Sequence, residues 1–459
     1  MSEENTMNQD QQAEIVSPDF GKEIDKFIKH IEAQADIVPL VMGLLNVKLV
    51  QEAKHVDKYI KENGIIEKEE KEEKDSDDDS SKLLIPADKF KGFIELNDKV
   101  DTTALATRLL PINFVVAFVS QYDAYLGGLI RTMFEAKPEL LNNSEKNILF
   151  SELIKFNSLE EAREYLIEKE VESVLRESHL KQFKWLETKL NIPLRKDLPS
   201  FSDFIEITER RNLFVHCNGV ISRQYIDVCK ENEVKNIDKA KIGQQLIASP
   251  EYFNKCYMVM FEIGVKLGQV IWRKLQPDKL EDADAHLNNV CYGLLTKGHF
   301  RLALNLLSFA TETLKKHTNQ EMFCIFTINK ALAHYLSDKK DACKSVLDKH
   351  DWSATSDKFK LAISVLKEDY QKAIELIKSI GSTNKHLNKD AYREWPLFRQ
   401  FRKTDEFKKA YLEIFGEELV YVETKPKGLE DILSEIKQLK KEAKEAQENE
   451  KTAANSGLA

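Results

Sequence analysis

From Leu109 to Phe134 the apolar residues Phe114, Val115, Phe118, Val119, Tyr122, Tyr125, Leu126, Leu129, Ile130 and Met133 recur three and four apart. Only a helix brings such positions onto one face, so this stretch predicts a long amphipathic helix with a buried stripe. The same spacing returns along the chain, and the helix-breaking residues are scarce: 16 glycines and 11 prolines in 459 residues. The fold class expected is therefore all-α. That length suggests two to four domains. Gly127-Gly128 lies inside the first long helix, where glycine costs on the order of 1 kcal/mol relative to alanine. A pair retained there predicts close approach of another element.

The domains follow from changes in texture. Residues 1–20 are polar and expected to be disordered, and residues 21–63 read as one or two N-terminal helices. Residues 64–85 contain the run Glu67 to Lys82, which has no apolar residue and is expected to be a solvated acidic linker. Residues 86–276 read as a helical domain. It holds the helix described above, two helices between Leu159 and Leu190, a helix over Phe204–His216 expected to be capped by Ser202-Asp203, and a closing helix from Ser249 to Lys274. Asn218-Gly219 is expected to end the fourth of these.

Over residues 284–420 helical pairs recur around short polar turns. Ala303, Ala342, Ala373 and Ala410 are separated by 39, 31 and 37 residues. This resembles tetratricopeptide (TPR) repeats, whose period is about 34 with small residues where helices cross. A solenoid of three to four pairs is expected, with Trp395 to Arg402 as an apolar cap and residues 421–459 as a charged tail.

Bulk chemistry excludes several classes. The net charge is −9, which gives no global nucleic-acid footprint. The six cysteines form no C-x-x-C pair and are read as buried reduced thiols; no metal site or cofactor is expected. No Walker loop, G-x-G-x-x-G turn, H-E-x-x-H helix or G-x-S-x-G elbow is present. The N-terminus lacks the pattern of a secretory signal. The apolar run from Ile37 to Val50 is short and broken by Asn46 and Lys48, so a cytoplasmic protein with no membrane partner is expected.

The chemistry concentrates in Glu209-Arg210-Arg211-Asn212-Leu213-Phe214-Val215-His216. On a helix, Asn212 and His216, four apart, share a face, with Arg211 beside them. A permanent cation, an amide and an imidazole titrating near neutrality can bind a phosphate and move a proton. A structural role is the alternative, with His216 simply ending a helix and Arg211 ion-paired to Asp123 or Glu209.

Arg211-Asn212-x-x-x-His216, late in a long helical segment, resembles the Arg-polar-x-x-x-His signature of HEPN domains, many of which are metal-independent ribonucleases. The resemblance implies a HEPN-like bundle followed by the TPR-like solenoid. It implies Arg211, Asn212 and His216 as catalytic residues, Arg210 as a supporting residue, and Asp123 as an acidic partner orienting Arg211. RNA would be cleaved by 2′-hydroxyl attack to leave 2′,3′-cyclic phosphate and 5′-hydroxyl ends. It further implies a homodimer through the motif helices, a toxin or antiphage role, and a protein partner or regulator acting on the repeats. Arg195, Lys196, Arg210 and Arg223 are candidates for guiding RNA, with solvated surface as the alternative reading. The competing reading is a non-catalytic HEPN/TPR scaffold that dimerises and binds protein or nucleotide.

Overall fold

The computed structural model describes residues 18–68, 81–143, 147–384 and 387–421. The described chain is mostly helical, with one short β-ribbon. The disordered segment expected before residue 18, the middle of the acidic linker and nearly all of the charged tail lie outside these residues. Two compact units divide the chain, one formed by residues 1–34 with 114–419 and the other by 35–113 with 420–459. They do not follow the expected segment boundaries, because α1 (Phe20–Asn63) and α2 (Ala87–Ala136) each contribute to both.

In the first unit the start of α1 supplies Phe20, Ile24, Phe27 and Ile31, all buried. The end of α2 supplies the stripe read in the sequence, from Val115 to Met133. After α2 come α3 (Phe150–Leu153), α4 (Leu159–Leu175), α5 (His179–Leu190), α6 (Phe201–His216), α7 (Arg223–Glu231) and α8 (Pro250–Leu275). The double glycine of α2 meets the predicted neighbours. A Cβ on Gly127 would lie 3.3 Å from Leu175 of α4, and one on Gly128 would overlap Glu23 of α1.

A second pair, Gly264 and Gly268 on α8, admits α1. A Cβ at Gly264 would overlap the ring of Phe27, and one at Gly268 would overlap Tyr125 and Ile24. Phe27 stacks on Tyr125 at 4.4 Å, and the Tyr125 hydroxyl donates to the Gly264 carbonyl at 2.9 Å.

Helical pairs follow: α9 (Leu280–Lys297) with α10 (Phe300–Ser308), α11 (Gln320–Leu336) with α12 (Lys340–Leu347), α13 (Asp357–Leu366) with α14 (Tyr370–Ile380), and α15 (Lys389–Glu394) with α16 (Asp405–Phe415). Ala303, Ala373 and Ala410 are buried where expected. In the second pair the neighbouring Cys343 takes the fully buried position and Ala342 is only half-buried. Two turns without glycine place Asp338 (φ 59°) and Glu368 (φ 61°) in the left-handed region, where Gly298 (φ 83°) serves the first pair. The apolar cap forms as expected, with Leu397, Phe398 and Phe401 buried.

Two buried carboxylates tie the helices of this unit. Glu262 accepts from Ser200 (2.9 Å), Lys266 (2.5 Å) and Asn305 (2.6 Å), joining the start of α6 to α8 and α10. Asp284 accepts from Arg273 (2.7 Å), His317 (2.9 Å) and the Thr318 amide (2.7 Å).

The second unit contains two helical stretches, residues 35–63 of α1 and 87–113 of α2. Beyond them the ends of the expected linker pair as an antiparallel ribbon, β1 (Ile65–Lys68) with β2 (Ser81–Leu84), Ile65 opposite Leu84. The helices meet through the Tyr59 hydroxyl, which donates to the Lys89 carbonyl at 2.8 Å. Residues 20–63 form one helix although Pro39 lies inside it, as Pro111 does in α2; each proline removes one backbone donor without ending the helix. α1 and α2 each contain an 18-residue stretch apolar enough to cross a membrane by length and composition, with 11% and 22% of those residues buried. For α1 this measure extends past the short run read in the sequence.

Candidate functional site

The motif helix α6 drives Phe204, Ile205, Ile207 and Leu213 into the core, which fixes the direction of its remaining face. It begins at Phe201, earlier than expected. Ser202 and Asp203 lie inside the helix, and Ser200 at the cap position turns its hydroxyl to Glu262 instead of to the α6 backbone. The C-terminal stop forms as expected, with Asn218 at φ 50° and Gly219 at φ 77°. A Cβ on Gly219 would lie 2.9 Å from the Leu246 carbonyl, so this turn requires glycine on both counts.

Arg211 is held at several points. Its Nη2 donates to Asp123 Oδ2 at 2.8 Å, its Nη1 donates to Asn212 Oδ1 at 3.3 Å, and its Nε is buried without an acceptor. The carboxylate expected to face Arg211 is therefore its ion-pair partner. The other oxygen, Asp123 Oδ1, lies 2.9 Å from His179 Nε2. A carboxylate only accepts, so that ring nitrogen carries a hydrogen. His179 opens α5 and is nearly buried, its ring packed edge-on to Phe204 at 5.7 Å and tilted against Tyr122 at 6.0 Å.

Glu209 completes the group. Burial pushes its carboxyl above the ordinary glutamate value, opposed by His179, by a hydrogen bond to Asn212 and by Arg211. The site thus gathers two carboxylates, an imidazole, an amide and a guanidinium in which each polar group restrains another. The sequence reading missed His179, because no spacing ties it to Arg211. Its one local signal, Ser178 before an apolar run, marks only the start of a helix.

Arg210 does not join this group. Its Nε donates to the buried Glu206 at 2.7 Å and its guanidinium lies 3.8 Å above the Tyr252 ring. Tyr225 (2.8 Å) and Tyr252 (3.1 Å) donate their hydroxyls to the same carboxylate. Burial alone would lower the Arg210 pKa, but Tyr252, Glu206 and Tyr225 raise it, so the charge is locked in place. Arg210 is therefore a structural cation joining α6 to α7 and α8, which corrects its expected place beside the motif. Arg195 is likewise taken, with two nitrogens on Glu187 at 2.9 and 2.7 Å. Lys196 and Arg223 are exposed.

His216 stands apart, exposed at the last residue of α6. Among the described residues no hydrogen bond or ion pair engages its side chain. At about 1.5 Å per residue it lies roughly 6 Å along the axis from Asn212 and 7.5 Å from Arg211. Around this end of the helix Val215 (50% exposed), Val220 (38%), Ile242 (54%) and Ile247 (57%) leave an apolar surface open.

Five of the cysteines are buried as expected, while Cys217 is exposed. The Cys229 and Cys256 thiols are pushed up to about 12, first by burial and then by Glu206, which keeps them protonated and unreactive. Among the described residues no cluster of three or more His, Cys, Asp or Glu is placed to hold a metal ion. Comparison of the chain with protein-family models, with curated proteins and with solved structures finds no match.

Proposed function

We propose that this chain is a metal-independent endoribonuclease of the HEPN type. The observation that carries the reading is the division of labour on α6: Arg211 is fixed by Asp123 and Asn212, while His216 beyond it is exposed and unpartnered. A fixed guanidinium suits a phosphate, since its geometry needs no reorganisation when charge builds on the equatorial oxygens. A free imidazole suits proton transfer. In the reaction the ribose 2′-oxygen loses its proton and bonds to phosphorus, the P–O5′ bond breaks, and the 5′-oxygen takes a proton. The products are a 2′,3′-cyclic phosphate and a 5′-hydroxyl.

Arg211, Asn212 and His216 act in this scheme, with Asp123 orienting Arg211. Two copies would pair across the apolar surface around His216, so that two motifs line one cleft. The helical pairs would act as a TPR-like module through which a protein partner regulates a toxin or defence effector in the cytoplasm.

A non-catalytic HEPN/TPR scaffold is the second reading. It is favoured by the fact that Arg211 already has protein partners, as a structural arginine would. Incubating total RNA with wild type, His216→Ala and Arg211→Ala in a chelator separates the two. Cleavage by wild type alone, with cyclic-phosphate ends, supports the nuclease; equal inertness of all three supports the scaffold.

A further inference from the structure

The first helices of the four pairs, α9, α11, α13 and α15, line a cavity of about 310 Å³. Its walls are mostly apolar, with a few polar groups set among side chains such as Ile328 and Ala362. That is the make-up of a small-molecule site, and the volume lies at the low end of the usual range of about 300–1,000 Å³. A polar pair stands in the lining. Asn329 of α11, 3% exposed, donates its Nδ2 to Oδ1 of Asn288 on α9 at 2.9 Å. That bond uses one half of each carboxamide. Asn288 Nδ2 and Asn329 Oδ1 have no partner among the described residues, and neither belongs to the enclosed unpaired atoms of the core. Turning both amides over leaves the same outcome, one donor and one acceptor.

A neighbouring donor and acceptor are matched by an edge that carries an acceptor and a donor on one side. A trans peptide group has no such edge, because its N–H and C=O point in opposite directions. Every nucleobase has one. The walls agree with a planar ring. Tyr292 makes no contact with another ring among the described residues, so its face is open, and Trp395 lines the cavity from the end of α15. Aromatic faces hold bases by stacking. Lys358 is the one charged residue of the lining; it is paired with Glu321 and lies 5.1 Å over the Phe359 ring. The lining therefore offers no free cation to a phosphate.

We propose that this cavity binds the base of a nucleoside, with Asn288 and Asn329 reading its edge and Tyr292 and Trp395 supplying aromatic faces. The site shares no residue with the motif helix and does not depend on the nuclease reading. A free nucleoside and an unpaired base in an RNA strand present the same chemistry to it.

Calorimetric titration of the full chain with adenosine, guanosine, cytidine and uridine tests this. At least one is expected to bind with a Kd below about 1 mM. Asn288→Asp keeps the acceptor for Asn329 and removes the free donor, so it should weaken binding about 10-fold or more at unchanged helical content. Tyr292→Leu should weaken it about 5-fold or more. A 2′-O-methyl RNA octamer, which has no 2′-hydroxyl to attack, separates the two sources. Tighter binding than the nucleosides, with the same loss in Asn288→Asp, assigns the base to a strand; binding no tighter assigns it to a free nucleoside. Silence of all four nucleosides and of the octamer overturns the proposal, as does an Asn288→Asp variant that binds like wild type. Loss of nucleoside binding in Arg211→Ala alone would place the base at the motif helix and overturn it too. Binding of the peptide Ala-Gln-Ala in place of any nucleoside overturns it in favour of a protein partner.

Discussion

The ion pair between Asp123 and Arg211 makes a sharp thermodynamic prediction. At 2.8 Å the gross attraction at an effective dielectric constant of about 20 is roughly 6 kcal/mol. Most of that is offset by desolvation, since the side chains retain only 27% and 21% of their exposure. A net coupling of about 1–2 kcal/mol is expected. In a double-mutant cycle of Asp123→Asn and Arg211→Gln, each single variant should cost about 2 kcal/mol, because each leaves a charge facing an amide. The double variant should cost about 1–2 kcal/mol less than their sum. Urea unfolding followed by circular dichroism reads these values. Extending the cycle to His179→Gln should show coupling to Asp123 and little to Arg211, as the carboxylate stands between them. Additivity of the Asp123 and Arg211 variants within about 0.5 kcal/mol would refute the idea that the carboxylate holds the guanidinium. If the pair also serves cleavage, Asp123→Asn should add nothing to the defect of Arg211→Ala in RNA assays.

Three further outcomes are expected. Gly264→Ala should cost about 1–3 kcal/mol, since its methyl would enter the ring of Phe27, whereas Gly293→Ala meets nothing and should be neutral or stabilising by up to about 1 kcal/mol; thermal unfolding compares them. Burial raises the Asp284 carboxyl, but His317, the Thr318 amide and Arg273 outweigh it and hold the value low, so its contribution is present above the ordinary aspartate range and lost as pH falls through the depressed folded value. Asp284→Asn should therefore cost about 3 kcal/mol at neutral pH, with the gap to wild type closing only below about pH 4 in acid titration of the melting temperature. Glu209 has the opposite sign: burial raises its value, so its protonated form stabilises the fold at low pH and that contribution disappears as pH rises through the raised value. Glu209→Gln should then melt above wild type at pH 7.5 and level with it near pH 4, a trend that a melting series across pH would expose if absent.

Local periodicity made much of this molecule readable. The stripe from Val115 to Met133 is buried, Gly127 and Gly128 meet α4 and α1, and Gly219 closes α6. What escaped the sequence is non-local. Nothing in the spacing of His179 relates it to an aspartate 56 residues earlier. Arg210 and Arg211 are neighbours of the same type, yet about 100° of helical turn sends one to the buried Glu206 and the other to Asp123. The expected cap at Ser202-Asp203 does not form: the helix starts at Phe201, and Ser200 before it gives its hydroxyl to Glu262, 62 residues on, instead of to the backbone. Repeats read from alanines alone slipped by one position at Cys343, since any small side chain satisfies a crowded helix crossing. The second unit was hidden for a further reason: each long helix is divided between the two units, about a third of α1 and nearly half of α2 falling in the first, and a uniform helical pattern carries no mark of that division.

The packing of Phe27 into the notch left by Gly264 also has a temporal side. About 240 residues separate them, and a ribosome adding about 5–20 residues per second needs roughly 12–50 s to make that stretch. For that interval Phe20, Ile24, Phe27 and Ile31 have been synthesised but α8 has not. Until the glycine-bearing helix emerges, the nascent chain holds these apolar side chains without the notch that receives them.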